Sequence, residues 1–129
     1  VEVLSRLHRE ARDDGSNYSE LWRPASFMPL AERYDLGYAL DRRVIARAIE
    51  WLEAHPLMQP RLKMISFNLS ASSMLNKGFA QEIASQIQSS LVRGGQFLFR
   101  DPRDPRLRLP GSRKALLQCP PGDWLSHCP

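Results

Sequence analysis

A chain of 129 residues is long enough for one domain with a modest core. Its 43% hydrophobic and 25% charged content are those of a soluble globular protein, not of a low-complexity or disulfide-stapled chain. No apolar run reaches the length of a membrane span and the start carries no signal-peptide pattern, so a cytoplasmic location is the expectation. The net charge of +4 divides unevenly: residues 1–93 hold 12 Lys+Arg against 11 Asp+Glu, and residues 94–129 hold 6 against 3. The excess belongs to the tail, no basic stripe marks a folded face, and a nucleic-acid polymer is not an expected partner. Cys119 and Cys128 lie in the same tail without a cluster of His or acidic residues, which argues for free thiols and against a zinc site.

In chain order, Val1 to Leu7 is short and apolar-rich, as a strand requires. Residues 9–20, with Asp13-Asp14-Gly15-Ser16-Asn17, form a polar loop. Pro24-Ala25-Ser26 reads as a helical turn, followed by a short helix with Pro29 at its first position, where the missing N–H costs nothing. Gly37 separates that helix from the next. There Leu40, Val44, Ile45, Ala48, Ile49 and Leu52 make one apolar face, with Asp41, Arg42, Arg43, Arg47 and Glu50 on the polar side. His55-Pro56 ends it, since the residue before a proline avoids the helical region.

Residues 62–69 read as a strand with Ile65, Phe67 and Leu69 on one face and Met64, Ser66 and Asn68 on the other. Ser70 or Ser72 caps a further helix whose stripe is Leu75, Phe79, Ile83, Ile87 and Leu91, and Gly94 stops it. The texture then changes. Six of the ten prolines fall in residues 94–129, so that tail is expected to be irregular or disordered, with Gln96-Phe97-Leu98-Phe99 as one short strand. Strand, helices, strand, helix is an α/β order, most economically a partial (β/α) barrel or an open parallel sheet.

In such folds chemistry gathers where strands end. Asn68 stands at that point, and its amide oxygen suits either a hard-cation site or the turn before the helix. Glu2, embedded in an apolar strand, either points to solvent or needs a partner, Arg6 or a metal. Arg6 can equally hold a phosphate, to which a planar guanidinium is matched. His8, His55 and His127 are scattered and read as surface residues, while Trp22, Trp51, Tyr34 and Tyr38 read as packing. No phosphate-cradling glycine loop and no Gly-x-Ser-x-Gly elbow occurs.

Four motif words remain, in a fixed order. Glu2-Val3-Leu4-Ser5-Arg6 resembles Glu-Ala-Leu-x-Arg, and Phe27-Met28-Pro29-Leu30-Ala31-Glu32 resembles Phe-Ile-Pro-Leu-Ala-Glu. Leu40-Asp41-Arg42-Arg43-Val44 resembles Leu-Asp-x-x-Val, and Phe67-Asn68-Leu69-Ser70 resembles the Asn-Leu-Ser strand end. Together they resemble the N-terminal portion of an EAL domain, the cyclic di-GMP phosphodiesterase family. The resemblance implies a TIM-like (β/α) barrel that hydrolyses cyclic di-GMP to the linear dinucleotide with Mg²⁺ or Mn²⁺. It places Glu2 and Asn68 at metal-ligand positions, Leu4 and Arg6 against the base and phosphate of the nucleotide, and Pro29 in the pocket wall.

The family pattern continues with a strand carrying Glu-x-Thr, then an Asp-Asp pair and a catalytic Lys. Phe97-Leu98-Phe99-Arg100-Asp101 stands near the first of these without that pattern, and Asp101 is a poor substitute. A full barrel takes about 250 residues. The expected organisation is therefore a truncated EAL-like domain over 1–93 with an unrelated tail over 94–129, as a reading-frame change would produce. Such a chain lacks most of the catalytic set and does not stably hold the metal. The expected function is that of a portion of a cyclic di-GMP phosphodiesterase, active only with the rest of the domain. The alternative is a degenerate EAL module that senses cyclic di-GMP or acts as an interaction domain. The exposed strand edges and helix faces of an unfinished barrel favour self-association or a protein partner.

Overall fold

The computed structural model describes residues 1–9, 20–76, 78–92, 97–101, 103 and 108–110. Most of the polar loop expected over 9–20 lies outside these residues, as do Gly94-Gly95, Cys119, Cys128 and His127. The expected first strand is two. β1 (Glu2–Val3) pairs with a central strand, and β2 (Leu7–Arg9) forms an antiparallel pair with β3 (Glu20–Trp22). Then come α1 (Pro24–Arg33), α2 (Gly37–Ala54), one 3-10 turn (Gln59–Arg61), β4 (Ile65–Asn68), α3 (Ala71–Leu75), α4 (Phe79–Ser89), β5 (Phe97–Arg100) and β6 (Arg108–Pro110).

The four-stranded sheet has the order β1-β4-β5-β6. β1, β4 and β5 are parallel, and β6 runs antiparallel to β5. β5 is the short strand expected around Phe97-Leu98-Phe99, whereas β6 joins the sheet although the proline density of the tail argued for irregular chain. Pro110 is the last residue of β6, itself the last strand in the order among the described residues, and an edge strand is where a sheet tolerates proline.

The strand alternation read from the sequence holds. Ile65, Phe67 and Leu69 are buried with Phe97 and Phe99 against Ile45, Ile49 and Leu52 of α2 and Phe79, Ile83 and Ala84 of α4. The Phe67 ring stacks on Phe97 and Phe99, at centroid distances of 6.0 and 5.4 Å. This one-sided helical layer leaves the opposite face of the sheet to Glu2, Ser66, Asn68, Leu98 and Arg100, since Glu2 is level with Ser66, Ser66 with Leu98, and Asn68 with Arg100.

Three helical expectations are corrected. Pro24, not Pro29, takes the first turn of α1, and Pro29 lies inside the helix. Phe27 and Ala31, four apart and both buried, hold the helix together across the proline. Gly37 does not stop α1. The stop is a Schellman motif in which Leu36 N–H donates to Ala31 O at 2.7 Å and Asp35 N–H to Glu32 O at 3.2 Å. Asp35 takes the left-handed conformation there, with φ 54°. Gly37 instead opens α2 against Ser70 and Ser72, close enough that a Cβ would lie 2.7 Å from Ser70 Oγ. Lastly, the single helix expected to run to Leu91 is broken between α3 and α4, which leaves Leu75 and Leu91 exposed.

Candidate functional site

Because β1, β4 and β5 are parallel neighbours, their side chains on the face away from the helices meet across strands. Glu2 comes from β1, Asn68 from the end of β4, and Arg100 from the end of β5, its Cα partner being Asn68. The three close into a ring. Asn68 Nδ2 donates to Glu2 Oε1 at 2.8 Å, Arg100 Nε donates to Asn68 Oδ1 at 2.8 Å, and Arg100 Nη2 donates to Glu2 Oε1 as an ion pair. The side chains of Glu2 and Arg100 remain 42% and 33% exposed, so the ring sits at the open surface of the sheet. The hydrogen bond from Asn68, then that from Arg100, holds the Glu2 carboxyl below its ordinary value.

The sequence reading offered Glu2 a partner in Arg6 or a metal; the partner is Arg100. It offered Asn68 the turn before the next helix; its side chain instead bridges two neighbouring strands. Arg6 donates from Nη1 to the adjacent Ser5 O at 2.8 Å. Leu4, Arg6 and Asn68 all border one cleft of about 820 Å³ between the first strands, α1 and α2. Arg43 and Arg47 border it as well, over a partly apolar floor that includes Phe27 and Phe67. Pro29 is exposed on α1 and is not part of this lining. The lining thus carries three guanidinium groups, those of Arg6, Arg43 and Arg47, and one carboxylate, that of Asp41. Among the described residues, no group of three or more His, Cys, Asp or Glu side chains is placed to hold a metal ion, and no helix is long and apolar enough to cross a membrane.

Directly behind Asn68 the chain builds the start of α3. Ser70 is its N-cap and accepts from Ser73 N–H at 3.3 Å. Asp41 of α2 backs that cap. Its Oδ2 accepts from Ser70 N–H at 2.7 Å, Ser70 Oγ at 2.7 Å and Ser73 Oγ at 2.6 Å. Asp41 is buried, contrary to its assignment to the polar side of α2, and burial pushes its carboxyl above the ordinary range against the pull of Ser73 and Ser70. A further network holds α2 to α4: Tyr38 Oη donates to Glu82 Oε2, and Arg42 pairs with the other oxygen of the same carboxylate.

Two residues of this arrangement were missed in the sequence. Asp41 lies four before Ile45 and eight before Ile49, and that spacing puts it on the buried face. Arg100 shares its strand face with Leu98, by the same two-residue period that assigned Asn68. Its neighbour Asp101 is buried and accepts from Arg103 N–H at 2.8 Å.

Comparison with known families adds a specific result. The family model described as the EAL domain matches residues 1–100. That span includes all four motif words and continues through β5 to Arg100. Neither curated proteins nor solved structures gave a match. The family binds cyclic di-GMP and is generally metal-dependent. A match across most of the 129 residues, on a parallel sheet with its polar residues at the strand ends, shows that this chain belongs to the EAL domain family.

Proposed function

We propose that the chain is a portion of an EAL-type cyclic di-GMP phosphodiesterase acting in cytoplasmic signal transduction, and that the isolated chain does not turn over. One observation carries the reading: the EAL match over residues 1–100 embraces Leu4, Arg6 and Asn68, which border one arginine-bearing cleft. In this reading Leu4 packs on a guanine base and Arg6 receives a phosphodiester oxygen. A guanidinium presents two parallel donors to such a group. The run β1-β4-β5 is the opening part of a (β/α) barrel, its polar face directed inward, with the EAL-like unit reaching through β5 rather than ending at the expected boundary of 93.

In a complete domain, Mg²⁺ or Mn²⁺ polarises the phosphate and lowers the pKa of the attacking water. Glu2 and Asn68 are the residues of this chain that would contribute to holding it. As they stand they do not fit that task, because the acceptor oxygens Glu2 Oε1 and Asn68 Oδ1 are both engaged by Arg100. The same engagement favours a second reading, a degenerate EAL module that senses cyclic di-GMP or docks a protein partner.

The test is incubation of the purified 129-residue chain with cyclic di-GMP and Mg²⁺ or Mn²⁺, the linear dinucleotide being followed by chromatography. No product is expected, and turnover above a metal-only blank sinks the claim of inactivity. Calorimetry divides the two forms of the second reading: micromolar binding of the nucleotide supports the sensor. Self-association on size exclusion without nucleotide binding supports the interaction module.

A further inference from the structure

We propose that Arg100 is a resident cation that closes the Glu2–Asn68 pair to divalent metal. The inference rests on the assignment of Glu2 and Asn68 to the family's ligand positions made above. Mg²⁺ needs near-octahedral oxygen ligands at about 2.0–2.1 Å, with their lone pairs aimed at the ion. Here Glu2 Oε1 accepts from both Asn68 and Arg100, and Asn68 Oδ1 accepts from Arg100 Nε. The guanidinium fork thus spans one carboxylate oxygen of Glu2 and the amide oxygen of Asn68, and it places a positive charge against them.

Its position is set by the fold and is not that of a wandering surface side chain. Arg100 is level with Asn68 in the parallel pair, and Leu69 N–H donates to Arg100 O at 2.8 Å. An isolated exposed ion pair would be a weak argument. Arg100 instead engages side chains from two strands at once, with a bond to each. The chemistry differs from that of a metal in one decisive way. A guanidinium carries no coordinated water to acidify and does not itself lose a proton. A site built this way can pair with a phosphodiester but supplies no activated nucleophile.

The test uses Mn²⁺ and the full chain, without nucleotide, so that its outcome is independent of cyclic di-GMP recognition. Free Mn²⁺ is followed by electron paramagnetic resonance in the native chain, in Arg100→Glu, and in Arg100→Glu combined with Glu2→Gln. The native chain is expected to show no saturable binding, and its Asn68 side-chain amide signals in a ¹⁵N–¹H spectrum should keep their width as Mn²⁺ is added. Arg100→Glu is expected to bind Mn²⁺ saturably, at concentrations about tenfold or more below any at which the native chain takes it up, with the gain lost on adding Glu2→Gln. Saturable binding by the native chain that broadens the Asn68 amide overturns the proposal. So does a folded Arg100→Glu chain that binds no better than the native one. If Arg100→Glu fails to fold, the amide signals of the native chain decide alone.

Discussion

Replacing Asp41 with Ala removes one acceptor that serves three donors behind the candidate site. The two hydroxyls, Ser70 Oγ and Ser73 Oγ, can turn to one another, being 3.2 Å apart. The Ser70 N–H cannot turn, because the start of α3 fixes it, and it loses a bond of 2.7 Å. A buried donor left without an acceptor costs about 1–3 kcal/mol. Relief of the carboxylate's burial returns part of this, so the net loss for Asp41→Ala is expected to be about 2 kcal/mol. With a urea slope of about 2 kcal/mol per M, the midpoint should fall by about 1 M.

Asp41→Asn keeps an acceptor oxygen and removes the charge, so its loss should stay below about 1 kcal/mol near neutrality. The pH dependence carries a definite sign. Burial raises the folded carboxyl above its ordinary value of 3.8, so between that value and the folded one the native state binds more protons than the unfolded state. Stability from this group therefore falls as pH rises through the window, then levels off once the folded carboxyl is ionised. Relative to the native chain, Asp41→Asn should become progressively less destabilising as pH rises through the same window. Urea melts followed by circular dichroism between about pH 3 and 7 would show it. A loss under about 0.5 kcal/mol for Asp41→Ala, the range of an ordinary surface change, would refute the reasoning. So would a pH trend of opposite sign.

Gly37→Ala should destabilise by about 1–3 kcal/mol, because the new Cβ meets Ser70 Oγ, Ser70 Cβ and Ser72 Oγ. Ser70 is held by Asp41 and cannot swing aside, so adding Ser72→Ala should recover only part of the loss in a thermal melt. Full recovery would show that Ser72 alone sets the limit. Asp35→Gly relieves a left-handed residue and should stabilise by about 0.5 kcal/mol, raising Tm by about 2 °C. A Tm that stays put or falls would contradict the cap geometry.

Periodicity made the central part of the fold legible. Ile65, Phe67 and Leu69 against Ser66 and Asn68 gave the faces of β4, and the spacing from Ile45 to Leu52 gave the buried side of α2. It failed where one residue type serves two purposes. Proline at position 29 looked like a helix start because its lost hydrogen bond is harmless there, yet burial of Phe27 and Ala31 carries α1 through it. Glycine at position 37 looked like a stop, but what it provides is space for α3. Aspartate at position 41 read as solvated because nothing local announces its partners, which lie 29 and 32 residues away. In the site, Glu2 and Asn68 were visible as polar residues at apolar strands. Arg100 was obscured, because its role depends on the register between β4 and β5, which no single strand encodes.

That same ring has a consequence for the order of folding. β1 contributes two residues, and its partners Asn68 and Arg100 lie 66 and 98 positions along the chain. A strand that short has no local contacts to hold it, and the entropy of closing so long a loop is repaid only after β4 and β5 exist. β1 is therefore among the last elements of the sheet to find its place. The motif that names the family is assembled by the part of the chain that follows it.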